Sequence, residues 1–298
     1  MQETLCPICN TEGADREVYA SNFRAEDLTP ETFSARRLPD RLHYRMVRCV
    51  RCGLLRSNPI LPVEDLARLY ARSHFTYSEE AAFTRRTYGR YLRRARRWVP
   101  DGRALLEIGC GDGFFLEEAL EQGFEEVTGV EPSDEAAASA NDAVRPRIRK
   151  GLYGPGVFPA RSFDLICAFQ VFDHVPDPAA LLRAAHEQLR DGGAVLFINH
   201  DSRGFLNRLL GEASPIVDVE HTVLFDKKTM RRLFEKCGFQ VREVFGVRNT
   251  YPVQYWARLA PLPRVLKSGI ASVLEGSALG KVPITFSAGN LGIVATKG

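Results

Sequence analysis

Two pairs of cysteines near the beginning of the 298-residue chain have the spacing of metal ligands. Two residues separate the cysteines of each pair, so both thiolates can reach one ion, and four thiolates complete a tetrahedral zinc site. Because such a site keeps no position for a catalytic water, we expect a structural Zn²⁺. Unmetallated or redox-active thiols are the alternative, but neither pair begins a helix of a thioredoxin-like unit. The expected ligands are Cys6, Cys9, Cys49 and Cys52.

A glycine-rich turn at residues 109–113 predicts a site for a nucleotide-like ligand. The turn follows an apolar run at 105–108 that is typical of a buried strand, and an amphipathic helix pattern begins at Phe114. Glycines leave the backbone open to a ligand, and the helix N-terminus offers free N–H groups. Phe114 stands where a dinucleotide-binding motif has its last glycine, so dinucleotide binding is the weaker alternative.

The strands that follow strengthen this interpretation. The predicted strand 127–131 ends in Glu131, and a carboxylate at this position holds a ribose diol in nucleotide-binding folds. Residues 162–169 form another apolar run that is typical of a buried strand. The turn, the acid and this run therefore predict an open α/β sheet with its ligand at the carboxyl ends of the strands.

Together these features resemble the class I S-adenosylmethionine (SAM) dependent methyltransferases. In that family the motif Glu-x-Gly-x-Gly-x-Gly (here 107–113), a second-strand acid and a Phe-Asp-Leu-Ile strand (here 163–166) recur in this order. The resemblance covers roughly residues 100–245 and implies an α/β, Rossmann-like sheet of seven strands with SAM as the cofactor. It implies cofactor contacts from Glu107, Gly109, Cys110, Gly111, Gly113, Glu131, Pro132, Leu152, Tyr153, Phe169 and Gln170.

Histidines are the expected source of catalytic chemistry. Methyl transfer to a hydroxyl or carbon needs an aligned acceptor and a base, and histidine titrates near neutral pH. His174, His200 and His221 map to loops at the carboxyl ends of the predicted strands. We expect His221 to be the general base and His174 to place the acceptor, while Asp173 orients an imidazole. The other histidines, His43, His74 and His186, map elsewhere.

The acceptor is predicted by resemblance alone. A four-cysteine module before a SAM domain is similar to the C-methyltransferases of deoxysugar biosynthesis and to related small-molecule or glycan methyltransferases. This implies O- or C-methylation of a small molecule or glycan, although the sugar enzymes carry a further C-terminal domain. The alternatives are a ribosomal RNA methyltransferase and a non-catalytic SAM-fold protein. An Asn-Pro-Pro-Tyr motif, used by base N-methyltransferases, is replaced by Phe-Gln-Val-Phe at 169–172.

Three regions are expected to position these residues. We predict a zinc-binding module over 1–60, a helical linker or cap over 61–100, and the methyltransferase domain over 101–298 with a substrate loop at about 200–225. Helices are predicted over 134–142, 179–190 and 227–237, with further strands over 147–151, 194–199, 240–247 and 290–295. The segment 253–280 has apolar helical character.

Composition and charge are those of an ordinary soluble globular protein. Hydrophobic residues make up 45% and charged residues 26%, and the net charge of +3 is too small to indicate nucleic acid or membrane as a partner. Seven arginines in 85–97 face away from the apolar side of a predicted helix, which we interpret as a solvated face rather than an RNA site. The odd number of cysteines, seven, and the lack of a signal peptide predict a cytoplasmic protein. The oligomeric state is not predicted.

Overall fold

The computed structural model describes residues 1–11, 13–24, 27–29, 41–72, 81–259, 270, 273–274 and 276–298. The strands are β1 (Asp15–Tyr19), β2 (Met46–Cys49), β3 (Leu55–Ser57), β4 (Ala104–Ile108), β5 (Glu126–Glu131), β6 (Ile148–Lys150), β7 (Phe163–Phe169), β8 (Leu189–His200), β9 (Val223–Leu224), β10 (Phe239–Pro252) and β11 (Pro283–Lys297). The α-helices are α1 (Val63–Ala71), α2 (Ala81–Arg96), α3 (Phe114–Glu121), α4 (Asp134–Ser139), α5 (Pro178–Gln188), α6 (Phe205–Leu210), α7 (Lys227–Lys236) and α8 (Val253–Leu259).

The predicted seven-stranded sheet is confirmed, with the order β10-β11-β8-β7-β4-β5-β6. Strands β4 to β8 pair in parallel, whereas β11 is antiparallel to both of its neighbours. The carboxyl ends of the parallel strands therefore share one edge of the sheet. This arrangement brings the turn after β4 close to the loops after β5, β7 and β8.

The central strands of the sheet are largely apolar, with Glu107 on β4 and Asp164 on β7 as their acidic residues. All five residues of β4 are buried, and β7 is buried except at Asp164. Continuous apolar runs are expected when helices cover both faces of a parallel sheet, and an apolar core lies on each side. Polar side chains start the helices: Ser133 caps α4, and Asp226 caps α7 in a capping box with Thr229.

A second sheet joins the N-terminal module to the predicted substrate loop. It has four strands in the order β1-β2-β3-β9, and β9 belongs to the segment after β8. Leu55 pairs with Leu224 across β3 and β9, and an apolar cluster beneath them includes Met46 and Ile216. The module and the loop are thus one packed unit, although the predicted boundaries at 60 and 100 stay predictions.

Several elements differ in extent from their predictions. The strands β1 and β2 lie in the predicted zinc-binding module, for which the sequence predicts no strands, and β10 and β11 continue well beyond 247 and before 290. The predicted helix 134–142 ends at Ser139, because Ala140 is extended. Most of the predicted apolar helical segment after α8 lies outside the described residues, as does His74. In the described part of the chain, no helix combines the length and apolar character required to cross a bilayer.

Candidate functional site

The glycine turn, residues 109–113, has a backbone that only glycine adopts easily. Gly109, Gly111 and Gly113 all have positive φ, at 69°, 55° and 78°. A Cβ on Gly109 would lie 2.4 Å from the Val171 side chain, so this position also excludes a larger residue by contact. The turn is therefore packed directly against the segment that follows β7.

Glu131 connects the glycine turn to the end of β5. One carboxylate oxygen accepts from the Gly111 N–H at 2.9 Å and the other from the Ser133 N–H at 2.8 Å. Each carboxylate oxygen has a second lone pair, so the group can still accept hydroxyl donors. Burial raises the pKa of Glu131, and the two N–H donors oppose that shift. This is the geometry expected of a carboxylate that holds a ribose.

The acids around the turn form a site suited to a cation. Burial, followed by the charges of Asp112 and Glu131, raises the pKa of Glu107 well above its ordinary value. Oε2 of Glu107 and Oε1 of Gln170 are buried without a hydrogen-bond partner. Among the described residues, no lysine or arginine forms an ion pair with Glu107, Asp112 or Glu131. The orphaned oxygens and the uncompensated acids fit a ligand that, like SAM, carries sulfonium and ammonium charges.

The remaining residues that are expected to contact the cofactor differ in burial and in the groups they contact. Phe169 stacks on Tyr88 of α2 with ring centroids 4.2 Å apart, so α2 covers this end of β7. Gln170 has φ of 55°, an unusual backbone for a side-chain-bearing residue at the ligand edge. Cys110 is buried, and Pro132 and Leu152 are partly or largely exposed. Tyr153 donates to Gln188 at the end of α5, at 2.9 Å, and packs into the core, so its adenine contact stays a prediction.

The second group of functional residues is a histidine cluster formed by Asp173, His174, His200 and His221. His200 Nδ1 lies 2.6 Å from Asp173 Oδ2, whereas His221 Nε2 lies 3.9 Å from the same oxygen and His174 Nε2 lies 3.8 Å from Oδ1. The ring centroid of His221 is 4.7 Å from that of His174 and 4.8 Å from that of His200. The structure therefore brings together all three histidines that the sequence places at this edge.

The electrostatics of the histidine cluster centre on Asp173, whose side chain is fully buried. Burial alone would raise the pKa of Asp173, but the charge and hydrogen bond of His200, with His174 and His221 adding, hold it below its ordinary value. Burial lowers the pKa of His174 and, more strongly, that of His221. Asp173 thus stays ionised, while His174 and His221 stay neutral near pH 7.

Long-range contacts hold the histidine cluster in place. The Tyr70 hydroxyl on α1 lies 3.2 Å from His174 Nδ1. The Ser57 hydroxyl on β3 donates to the His221 carbonyl at 3.0 Å, and the Thr222 N–H donates to the Asp173 carbonyl at 2.9 Å. The cluster therefore depends on both the N-terminal module and the predicted linker helix.

His200 is predicted to lie at this edge without an assigned role, yet it is the histidine nearest to the Asp173 carboxylate. Its signal was its position directly after the apolar run of β8, but only the fold shows that it, rather than His221, hydrogen-bonds to Asp173. Asp173, His200 and His221 also have the composition of a metal site, with their ligand atoms within 4.8 Å of one another. However, 2.6 Å is a hydrogen-bond distance, and ligands of one ion lie about 3 Å or more apart. We therefore interpret Asp173 and His200 as a hydrogen-bonded dyad.

The four N-terminal cysteines, Cys6, Cys9, Cys49 and Cys52, form a cysteine cluster with two similar knuckles. Their sulfur atoms lie within 4.8 Å of one another, and those of Cys6 and Cys52 are 3.4 Å apart. Sulfurs on a tetrahedral zinc are about 3.8 Å apart, given Zn–S distances of about 2.3 Å. In both knuckles the N–H of the residue after the second cysteine, Asn10 or Gly53, donates to the carbonyl of the first at 2.8 Å.

The thiols of the cysteine cluster differ in the direction in which their pKa values are shifted. Burial raises the pKa of Cys9 and Cys52. Burial would raise the pKa of Cys49 as well, but N–H donors from Cys52 and Arg51 lower it to about 7. Zinc binds the thiolate form of cysteine, so backbone N–H donors that stabilise a thiolate favour zinc binding by these sulfurs.

Comparison with known proteins identifies the family to which the chain belongs. Residues 80–244, more than half of the chain, match the family described as "Methyltransferase domain". "Ubiquinone biosynthesis O-methyltransferase" of Nitrosospira multiformis is 26% identical over 49% of this chain and 66% of its own length, slightly less than two thirds. The Pseudomonas aeruginosa PAO1 protein of that name is 29% identical over 61% of this chain and 85% of its own. A putative methyltransferase structure from Bacillus halodurans covers 68% of this chain and 98% of its own at 13% identity, with a TM-score of 0.48. The chain belongs to the methyltransferase-domain family and is a SAM-dependent methyltransferase.

Proposed function

We propose that the protein transfers a methyl group from SAM to a hydroxyl of a small molecule, with His200 as the general base. The observation that carries this proposal is the contact of 2.6 Å between His200 Nδ1 and the buried Asp173 carboxylate. An amine acceptor needs no such base, whereas a hydroxyl must lose its proton during transfer. The O-methyltransferase names of the relatives support the same choice.

The chain's own residues account for the proton. Bound SAM supplies a methyl group on a sulfonium. Asp173 accepts from Nδ1–H of His200, which leaves Nε2 as the proton acceptor, and the ionised carboxylate stabilises the imidazolium that forms. The side chain of His200 is 25% exposed, against 8% for His221, so a substrate reaches His200 more easily. His221 and His174 then shape the surface on which the acceptor lies.

A screen of small hydroxylated molecules tests this proposal. Each is incubated with SAM, and mass spectrometry detects the gain of one methyl group. The proposal is supported if a hydroxyl acceptor is methylated, if His200→Ala lowers that activity strongly and if His186→Gln leaves it nearly unchanged. His186 is a suitable control because it lies on α5, outside the histidine cluster. Methylation of amines alone, with His200→Ala fully active, would refute it. A carbon acid needs the same base, so C-methylation is the second candidate, which fragmentation of the product distinguishes.

We further propose that the cysteine cluster binds one structural Zn²⁺ through Cys6, Cys9, Cys49 and Cys52. Four sulfurs close the coordination shell, and the sulfur spacing and the paired knuckles support this ligand set. Such an ion would stabilise the module rather than take part in methyl transfer. Metal analysis of freshly purified, unchelated protein is expected to give one equivalent of zinc, and less than half an equivalent would contradict the proposal.

A further inference from the structure

A groove of about 410 Å³ lies where the N-terminal sheet meets the segment after β8. It is lined by Arg16, Arg48, Ser202, Arg203 and Arg208, and we call it the arginine groove. Arg16 and Arg48 are register partners on β1 and β2. Like charges directly opposite each other destabilise a strand pair, so this arrangement opposes folding unless something compensates for it.

The charges of the arginine groove are poorly compensated by the protein. Arg203 Nε lies 2.9 Å from Asp226 Oδ2, and Arg48 donates to the Gly53 carbonyl at 3.1 Å. Within the described part of the chain, no ion pair involves Arg16, Arg48 or Arg208. Asp201 also lies close enough to act on Arg203, and Lys227 acts on the same Asp201 carboxylate. Four guanidinium groups and Lys227 therefore face two carboxylates, which leaves about three positive charges at a concave surface.

The walls of the groove are rigid. Tyr19 and Met46 from the module pack with Ile216 and Val217 in one apolar cluster. His43 Nε2 lies 3.2 Å from Glu212 Oε1, and the Ser202 N–H donates to the Phe225 carbonyl at 2.8 Å. The arginines thus project from elements already fixed relative to one another, which lowers the entropy lost on binding.

We propose that the arginine groove binds the phosphate ester or diphosphate group of a small molecule. Guanidinium groups recognise phosphate oxygens through paired hydrogen bonds, and Ser202 adds a hydroxyl donor. Three uncompensated charges match a diphosphate better than a single carboxylate, and the volume lies in the range of small-ligand sites. The inference goes beyond the proposed methyl transfer, since binding at this groove needs neither SAM nor the histidine cluster.

Inorganic pyrophosphate is the first probe, measured by isothermal titration calorimetry on the full chain at constant ionic strength. The test variant is Arg16→Gln/Arg208→Gln, because both side chains are exposed and their loss leaves the core intact. The control is Arg86→Gln/Arg232→Gln, which removes the same charge from exposed positions on α2 and α7. We expect one pyrophosphate per chain, at least tenfold weaker binding to the groove variant, and less than a twofold change in the control.

Three results would overturn the proposal. They are no saturable binding of pyrophosphate, equal weakening by the control, and tighter binding of a single-stranded RNA that the groove substitutions weaken. The last result would assign the surface to nucleic acid. A nucleoside diphosphate that binds more tightly than pyrophosphate, with the same dependence on Arg16 and Arg208, would support the proposal and indicate that an organic part is recognised too.

Discussion

The glycine turn and the histidine cluster lie at the same edge of one sheet, yet they are built differently. The hydrogen bonds of the turn join β4 to the adjacent β5, within residues 107–133, although Gly109 also packs against Val171. The histidine cluster draws on α1, β3, the end of β8 and two loops, and Tyr70 and His174 are 104 residues apart. On the proposed roles, cofactor binding would be encoded mainly by residues close in sequence, whereas the acceptor surface would need the N-terminal module. Substitutions that disturb the glycine turn or the histidine cluster one at a time should separate the two regions.

The largest effect is expected from loss of the proposed zinc ion. Zinc binding contributes about 10 kcal/mol to folding in small zinc-binding peptides. Chelation, or Cys49→Ser, should therefore loosen the module and, through the β3–β9 pairing and Ser57, the loop that carries His221. Hydrogen exchange should rise in 44–57 and 216–224 but not in 104–131. Equal loss of protection in 104–131, or a SAM dissociation constant changed more than twofold, would show that the two regions are not separable.

Removal of the base is the next largest effect. His200→Ala should lower kcat by about 10² to 10⁴, the contribution of a positioned general base. SAM affinity should stay nearly constant, because the glycine turn and Glu131 are untouched. Steady-state kinetics on the acceptor found by the screen, with SAM titration alongside, makes the measurement.

His221→Ala serves as the matched comparison for this prediction. The sequence predicts His221 as the base, and that assignment has not been tested. If His221 only shapes the acceptor surface, its removal should raise the acceptor's KM more than it lowers kcat. A larger fall in kcat for His221→Ala than for His200→Ala would restore the sequence-based assignment.

The cofactor edge was predictable because its signals are contiguous. The glycine spacing, the acid at the end of β5 and the apolar strands identify the turn without knowledge of distant contacts. The partner of Asp173 was not predictable, since three histidines map to the same edge and only tertiary packing places His200 nearest. The strands β1 and β2 were missed for a similar reason: β1 pairs with β2, β2 pairs with β3, and β3 in turn pairs with the distant β9, while their own sequence has little strand periodicity.

The arginines of α2 give a further example of this limit. The sequence predicts a solvated basic face, but the structure places glutamates against it. Arg85 pairs with Glu117 and Glu118, and Arg94 pairs with Glu243. These pairs bind the helix to α3 and β10, whereas Arg86, Arg90, Arg93 and Arg97 are exposed, as the prediction expects. The arginines of the groove form no motif in the sequence because they are scattered along it.

Loss of the carboxylate at the glycine turn should have a moderate effect. Glu131→Ala removes the acceptor for the ribose hydroxyls, and charge-assisted hydrogen bonds contribute about 1.5 to 3 kcal/mol each. SAM affinity should fall at least tenfold, while kcat at saturating SAM changes little because the histidine cluster is intact. Calorimetric titration with SAM measures this, with Glu135→Ala, an exposed acid on α4, as the control. An unchanged dissociation constant would remove Glu131 from the SAM site, and a melting temperature raised by NADH instead would favour the dinucleotide alternative.

The smallest effect concerns pH and the two buried imidazoles. The pKa values of His174 and His221 are lowered in the folded protein, so below about pH 6.5 the unfolded chain binds more protons than the native one. Stability is therefore fully present above that pH and is lost as the pH falls towards the folded pKa values. The loss approaches about 1.4 kcal/mol per pH unit for each histidine kept neutral.

Urea unfolding of wild type and His221→Gln at pH 7.5, 6.5 and 5.5 should show a shallower decline of the free energy of unfolding in the variant, even if the substitution lowers its stability at every pH. Parallel curves for wild type and His221→Gln would mean that His221 takes up its proton in the folded state, and the cluster would then be open to water.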